Sequence, residues 1–341
     1  MDPRQLEYFL AVVEHGGVNR AATALHVAQP SLSQSLRRLE KDIQAQLFHR
    51  VGRGLVLSSA GEALIGPARQ VLRDIELARE AVSAVEHLQG GRIDIAALSD
   101  TSTDPLSVWV AQFRVKNPLV QLRVEERDRI GEIVDLVKGG ACELGITVLP
   151  VHVNDLSHDF LVDQHFVVVF PPGTPTDLPD TVEVSSLDGV PFVMGERNTT
   201  SRDHVESMLR AGGVEPLVAV EVPQRGAVVP MVLSGAGAAI LPQRVALEAR
   251  QRGAVVRDLS PHVSWSIGAI HRSDRLTPAA AAFLDYTHQQ LASWERAVVR
   301  RMAAGASRVD ASAEVVAAIE RRQRVLFDEI GPIYPAGPAE R

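Results

Sequence analysis

Leucine recurs at positions 32, 36 and 39 and Ile43 follows, at spacings of four, three and four. That is the apolar stripe of an α-helix. Pro30 suits the first position of this helix, where its missing N–H would be unpaired anyway, and Gln29 falls near the N-cap. Just upstream, Ala21, Ala22 and Ala24 are small enough to let a second helix approach closely. Leu25 and Val27 flank a tight connection at His26. Downstream, Leu47–Ser58 reads as two short strands with glycines at the turn, the shape of a wing. Residues 59–88 read as one long helix, with Ala68, Val71, Leu72, Ile75, Leu77, Ala78, Val82 and Val85 mostly three and four apart. Pro67 is a candidate kink, and Gly90-Gly91 ends the helix.

The pattern then changes. Arg92–Leu98 alternates like a strand, a helix is expected from about Pro105 to Val115, and Val120–Val124 reads as a second strand. A helix near Gly131–Lys138 and a strand at Leu144–Val148 follow. This alternation predicts an α/β domain with a largely parallel sheet. It starts again with Phe166–Phe170, Phe192–Met194, a helix from about Arg202 to Ala211 and a strand near Val218–Val222. Two similar halves suggest two lobes with a cleft. From about Glu295 to Glu329 the chain is helical in pattern, with Val315, Ile319, Leu326 and Ile330 as an apolar stripe. This segment either docks on its own domain or serves in oligomerisation.

Composition narrows the function classes. The chain of 341 residues is 45% hydrophobic, enough for packed cores, but only 4% aromatic, so the cores rest on Ala, Val, Leu and Ile. The net charge of −7 argues against a bulk nucleic-acid coat. It leaves room for a small module with local positive charge. The single cysteine, Cys142, allows no intramolecular disulfide and no multi-cysteine metal site. No signal peptide or membrane span is legible, so a cytoplasmic location is expected.

The charge is indeed local. From Ala28 to Gly54, Arg37, Arg38, Lys41, Arg50 and Arg53 face two acids, Glu40 and Asp42. Opposite the leucine stripe lie Pro30, Ser33, Gln34, Arg37 and Lys41, with no carboxylate. Gln can pair with adenine, Ser with several base edges, and Arg with guanine or phosphate. A solvated helix face is the plain alternative, made less apt by the wing and its arginines, which suit a narrow minor groove or phosphates.

The run Leu6-Glu7-Tyr8-Phe9, Arg20-Ala21-Ala22, Gln29-Pro30-Ser31-Leu32-Ser33, Leu39-Glu40, Leu47-Phe48-His49-Arg50 and Leu57-Ser58-Ser59-Ala60-Gly61 closely resembles the LysR-type transcriptional regulators. Asn19 stands where Ser or Thr is usual, and Gln44 where Gly is common. The resemblance implies a dimerising linker helix and DNA contacts from Gln29, Pro30, Ser31, Ser33, Gln34, Arg37, Arg50 and Arg53. Arg20 is a candidate phosphate contact or a plain exposed arginine.

The resemblance continues more weakly through Phe113–Pro118, Val232–Pro242, Leu276–Ala280 and Phe283-Leu284, with Glu143 where Asp is more usual. It implies two lobes like those of periplasmic solute-binding proteins, with an effector in the cleft. Ligands of such sheets sit beyond the carboxyl ends of strands, near helix N-termini. Ser99, Thr101 and Ser102, Thr147, and Thr200 with Ser201 occupy such places. Helix capping is the alternative for each, and Thr200 with Asp203 approximates a capping box. Arg197, Arg202 and Arg225 are possible counter-charges to a carboxylate effector.

The expectation is therefore an α+β multidomain regulator. It comprises a winged helix-turn-helix (1–58), a dimerising linker helix (59–90), a two-lobed α/β periplasmic-binding-protein-like effector domain (91–294) and a helical extension (295–341). Lobe I is expected at about 91–162 and 268–294, lobe II at about 163–267. The expected partners are a double-stranded operator, a small-molecule effector, a second or further copies of the chain, and RNA polymerase. No catalytic, cofactor or metal site is expected. A loose group of Asp155, His158, Asp159 and His165 reads as solvated loop, and Cys142 as an inert core residue. The rival classes are a solute-binding protein without regulation and an enzyme with a DNA-binding appendage.

Overall fold

The computed structural model describes residues 1–51, 54–83, 91–175, 177–273, 276–306 and 308–330. The chain divides into two units: Met1–Phe160 with Gly268–Leu284, and Leu161–Ile267 with Asp285–Arg341.

The first unit opens with α1 (Pro3–His15), α2 (Val18–Ala24) and α3 (Gln29–Ile43). Asp2 caps α1 by accepting from the Arg4 N–H at 3.0 Å, and Gln5 returns a bond to the Asp2 N–H at 2.8 Å. The expected stripe is the core: Leu32, Leu36 and Leu39 are buried with Leu6, Phe9, Val12, Ala21 and Ala22. Strands β1 (Phe48–Val51) and β2 (Gly54–Leu57) pair antiparallel, Phe48 opposite Leu57. Phe48 packs on Phe9 with ring centroids 5.6 Å apart. Helix α4 (Ser59–Ser83) follows and carries Pro67 within it. The positions Val85, Gly90 and the wing-tip residues Gly52 and Arg53 lie outside the described residues.

Several family-like residues turn out to be the joints of this module. The Glu40 carboxylate accepts from the Leu47 N–H at 2.9 Å. The Ser58 hydroxyl donates to the Gln46 carbonyl at 2.5 Å and accepts from the Gly61 N–H at 3.0 Å. A Cβ on Gly61 would collide with the Leu47 carbonyl oxygen, so only glycine lets α4 start this close.

The α/β part of this unit contains β3 (Gly91–Leu98), α5 (Ser99–Thr101), α6 (Ser107–Lys116), β4 (Val120–Arg127), α7 (Ile130–Lys138), β5 (Leu144–Val148) and the first residues of β6 (Leu156–Phe170). Strands β4, β3 and β5 are parallel, in that spatial order. The segment from Ser99 to Asp104, ahead of the helix expected from about Pro105, is itself largely helical. Asp104 interrupts it with φ −151° and ψ 124°, because a residue preceding proline is driven into extended backbone. Ile133, Val134 and Val137 of α7 bury against Ala96, Leu98, Cys142 and Ile270. Burial pushes the Cys142 thiol up to about 12, so it stays protonated and inert.

The second unit contains β7 (Thr181–Glu183), β8 (Pro191–Gly195), α8 (Thr200–Ala211), β9 (Leu217–Val222), α9 (Val228–Leu233), β10 (Ala239–Pro242), α10 (Gln243–Gln251) and β11 (Val255–Ser260). Strand β6 is flanked by β11, which continues to β7, and pairs antiparallel with β10; β8 and β9 form a parallel pair. Strand β12 (Ser264–Arg272) and helix α11 (Pro278–Ala303) each run from one unit's residues into the other's. Thr277 starts α11: its hydroxyl accepts from the Ala280 N–H at 3.1 Å. The buried Glu143 carboxylate accepts from both the N–H and, at 3.1 Å, the hydroxyl of Thr277. Two weakly family-like segments, around 143 and 277, thus meet in one buried contact.

Helix α11 passes unbroken through Trp294, where the effector domain was expected to end, and α12 (Arg308–Ile330) follows. Val309 joins the core of the second unit, while Val315 and Ala311 pack with Val298 and Trp294. Arg250 holds Asp310 at 3.0 Å, and Arg301 holds Glu314 at 2.9 Å.

Two expectations follow. Gln44 ends α3 in the left-handed region, φ 54°, which explains the glycine common there. Gln44→Gly should therefore stabilise the N-terminal module by about 0.5–1 kcal/mol, read as a higher urea midpoint. Truncation after Gly305 uncovers Val298 and removes Val309 and Val315. Each buried valine is worth roughly 1.5–3 kcal/mol, so the second unit should melt several degrees lower.

Candidate DNA interface and effector-binding groups

Burial of the leucine stripe decides what α3 presents outward. Pro30, Ser31, Gln34, Arg37, Arg38 and Lys41 are exposed, and Ser33 is half-buried. Gln29 donates to the Ser33 hydroxyl at 2.9 Å, and Arg37 Nε to the Ser33 carbonyl at 3.3 Å. Gln29, Ser33 and Arg37 therefore form a linked row one turn apart, with Gln34 beside it. No side chain caps the N-terminus of α3, whose N-cap is Ala28. Glu40, in the last turn of α3, accepts from the Leu47 N–H. Arg20 donates to the Gly16 carbonyl at 2.6 Å, closing the end of α1. Arg50 lies on β1, while Arg53 falls outside the described residues.

The hydroxyls at the strand ends of the first unit divide sharply. Ser99 donates to Asp128 at 2.8 Å and Ser102 to Glu126 at 2.6 Å. Thr101 is fully buried and donates to the backbone, with Leu98 O at 2.9 Å and Ile146 O at 3.3 Å. Thr147 is equally buried at the end of β5, yet its hydroxyl has no hydrogen-bond partner among the described residues. The acidic partners Glu126 and Asp128 were not anticipated from sequence. They lie at the carboxyl end of β4, the edge strand beside β3, so the sheet order supplies a signal that linear spacing lacks.

In the second unit the cap of α8 is Thr199, one residue before the expected Thr200. The Thr199 hydroxyl accepts from the Arg202 N–H at 3.2 Å and donates to the Glu196 carbonyl at 2.9 Å. Thr200 and Ser201 are thereby released from capping. Arg202, a possible counter-charge, is instead structural: it is 2% exposed, with Glu206 at 2.5 Å, the Gly195 carbonyl at 2.8 Å and Glu221 at 3.5 Å. Burial pushes the Glu206 carboxyl up, but the Arg202 hydrogen bond and charge outweigh it and hold it low. Arg197 approaches Glu221 at 3.6 Å, and the Arg225 guanidinium lies 2.8 Å from where a Gly195 Cβ would be. His204 was missed entirely. Its ring meets Phe166 (5.4 Å, 51°) and Trp265 (4.8 Å, 55°) at tilted angles, its Nε2 has no hydrogen-bond partner among the described residues, and burial holds it neutral by lowering its pKa to about 4. The Asp155, His158, Asp159 and His165 group does not assemble: Asp159 pairs with His271 at 3.1 Å, and His165 contacts His262 and Arg308. No helix among the described residues is long and apolar enough to cross a membrane.

Known proteins share this arrangement along most of the chain. The family model for the bacterial regulatory helix-turn-helix protein, lysR family, matches residues 3–62, and that for the LysR substrate binding domain matches 86–292. The regulator IlvY of Escherichia coli (strain K12) is 28% identical over 82% of this chain and 91% of its own length. The RuBisCO operon transcriptional regulator of Allochromatium vinosum is 26% identical over 85% of this chain and 96% of its own. In fold, a full-length OxyR variant from Pseudomonas aeruginosa aligns with a TM-score of 0.67 at 21% identity, covering 85% of this chain and 94% of that one. Full-length CbnR complexed with its target DNA aligns with a TM-score of 0.61 at 21% identity, covering 85% and 99%. With both of its parts matched in order, the chain belongs to the LysR family: it is a DNA-binding transcriptional regulator with a substrate-binding domain.

Proposed function

We propose that this regulator reads DNA with the exposed side of α3 and holds phosphates with the flanking cations. Gln29, Ser33 and Gln34 face the base edges, Arg37 a base or phosphate, and Pro30 and Ser31 the groove wall. The observation that carries this is the burial of Leu32, Leu36 and Leu39, which leaves no other orientation for Gln34 and Arg37. Arg50 and Arg53 are assigned to the backbone or minor groove beside the wing. Arg20 keeps its Gly16 bond and has further N–H groups for a phosphate. The chain works as a homodimer or a dimer of dimers on a dyad-symmetric operator, without catalysis, and signals to RNA polymerase.

The effector contacts are assigned to Ser99, Thr101, Ser102 and Thr147 in the first unit and to Thr200 and Ser201 in the second. A carboxylate effector suits the N-terminus of α8, where the helix dipole and two uncommitted hydroxyls favour negative charge. Ser99 and Ser102 sit beside Asp128 and Glu126, which repel a carboxylate and suit a donor group. The effector shifts regulation only if it binds two states of the assembly unequally.

On operator DNA, Arg37→Ala should lose about tenfold or more in affinity, and Gln34→Ala should change the preferred base at one position per half-site. Arg53→Ala should weaken binding to all sequences and flatten its salt dependence by about one counterion. Fluorescence anisotropy across a salt series reads all three; unchanged binding in Arg37→Ala removes α3 as the reading helix. For the effector, a panel of mono- and dicarboxylic acids is screened by thermal shift. Thr147→Val replaces an unpartnered buried hydroxyl, so the apo protein should be as stable as wild type or more so. A stabilising acid should lose its shift in Thr147→Val and Ser201→Ala. An undiminished shift in both variants places the effector elsewhere.

A further inference from the structure

Helix α12 begins at Arg308, past residue 292, where the match to the LysR substrate binding domain ends. Its first residue meets two histidines of the same unit. Arg308 Nη1 lies 2.5 Å from Nε2 of His165, on β6. His165 Nδ1 is in turn hydrogen-bonded to Nε2 of His262, in the turn between β11 and β12. The two rings have centroids 4.4 Å apart and planes tilted by 46°.

Donor and acceptor counts leave one arrangement of protons. A guanidinium has donors only, so His165 Nε2 must offer its lone pair. The His165 proton then sits on Nδ1 and is donated to His262 Nε2, and the His262 proton sits on its own Nδ1. Both tautomers are assigned from the hydrogen-bond chain. A further proton has no place in it. On His165 it would set an Nε2–H against the Arg308 donor. On His262 it would set an Nε2–H against the His165 Nδ1–H, and switching His165 to its other tautomer would again oppose Arg308. Any added proton therefore breaks one of the two bonds and puts a new cation beside Arg308.

The surrounding charges act on both sides of this balance. Burial, then the Arg308 charge and His262, lower the His165 pKa from 6.5 to about 4, against the pull of Asp163 on the same strand. The Asp163 carboxylate accepts from the Ser266 hydroxyl at 2.8 Å. From β11, Asp258 faces His262 and Arg308, with Asp310 of α12 and Asp180 nearby; burial raises its carboxyl, against the pull of His262. Asp310 is itself paired with Arg250 at 3.0 Å. His262 is exposed and His165 half-buried, so solvent protons reach the pair. Because the folded His165 pKa lies below the ordinary value, the stability that the neutral pair contributes is complete above about pH 6.5. It is lost as pH falls toward about 4.

We propose that Arg308, His165 and His262 form a proton-sensitive clasp that fastens the start of α12 at neutral pH and releases it on mild acidification. The clasp lies entirely in the second unit and is separate from the hydroxyls assigned to the effector. It makes the docking of the C-terminal extension, rather than the fold as a whole, the element that follows pH.

The test is hydrogen exchange of the full chain, with each rate divided by the intrinsic rate at the same pH. In wild type, amides from Ala311 to Val315 of α12 should be equally protected at about pH 8 and 7, and about tenfold or more less protected by about pH 5. Amides of α7, in the first unit, should not follow. The double variant His165→Gln, His262→Gln keeps a donor and an acceptor at each position without titrating, and should hold its α12 protection across this range. Arg308→Met should be poorly protected in α12 already at neutral pH, with a flat profile, which tests the clasp even if the double variant folds badly. His204, also held neutral by burial in this unit, is the competing titration, and His204→Phe should leave the α12 profile unchanged. A wild-type profile that stays flat would overturn the proposal. So would a loss that persists in the double variant and in Arg308→Met, or one that disappears in His204→Phe.

Discussion

Burial of one leucine stripe governs the N-terminal module. Leu32, Leu36 and Leu39 are sealed against α1 and α2, where Ala21 and Ala22 leave room for them. Rotating α3 by even one residue would expose a leucine and bury Gln34 or Arg37, at several kcal/mol for the polar group alone. The polar row is therefore fixed by the apolar one. Glu40, Ser58 and Gly61 then tie the wing and α4 to the same frame, so the orientation of α3 is passed to the helix that leaves the module. Glu40, in the last turn of α3, is bonded to the Leu47 N–H and so becomes a joint between the helix and the wing.

A similar economy runs through the α/β units. Parallel strands end where helices begin, so hydroxyls collect there for purely architectural reasons. Thr101 and Thr199 are spent on backbone, and Ser99 and Ser102 on carboxylates. The Thr147 hydroxyl has no hydrogen-bond partner among the described residues, and Thr200 and Ser201 follow the cap of α8 rather than form it. Arg202 shows the same distinction among cations: with Glu206 and Glu221 beside it, its charge is already answered.

Much of this was legible in the sequence where one periodicity decides one structure. The α3 stripe, the paired wing strands and the long α4 follow from local spacing, and the strand and helix alternation announces the α/β units. What was not legible depends on contacts far apart in the chain. A helix was expected only from about Pro105, but the segment after Leu98 is already helical up to Asp104, where Pro105 imposes a break. The choice of Thr199 over Thr200 as cap is a matter of one residue, below what composition can resolve. Asp128 and Glu126 meet Ser99 and Ser102 only through the pairing of β3 with β4. The docking of Val309 and Val315 needed the core of the second unit to be known.

The proposal that the outward row of α3 reads sequence, in a symmetric assembly, is open to direct test. The most direct measurement is selection of bound duplexes from a randomised pool by the purified full chain, sequenced after several rounds. An enriched dyad-symmetric motif is expected, its half-sites separated by about one helical turn or a multiple of it. Enrichment of an asymmetric site, or no enrichment over the starting pool, would contradict it.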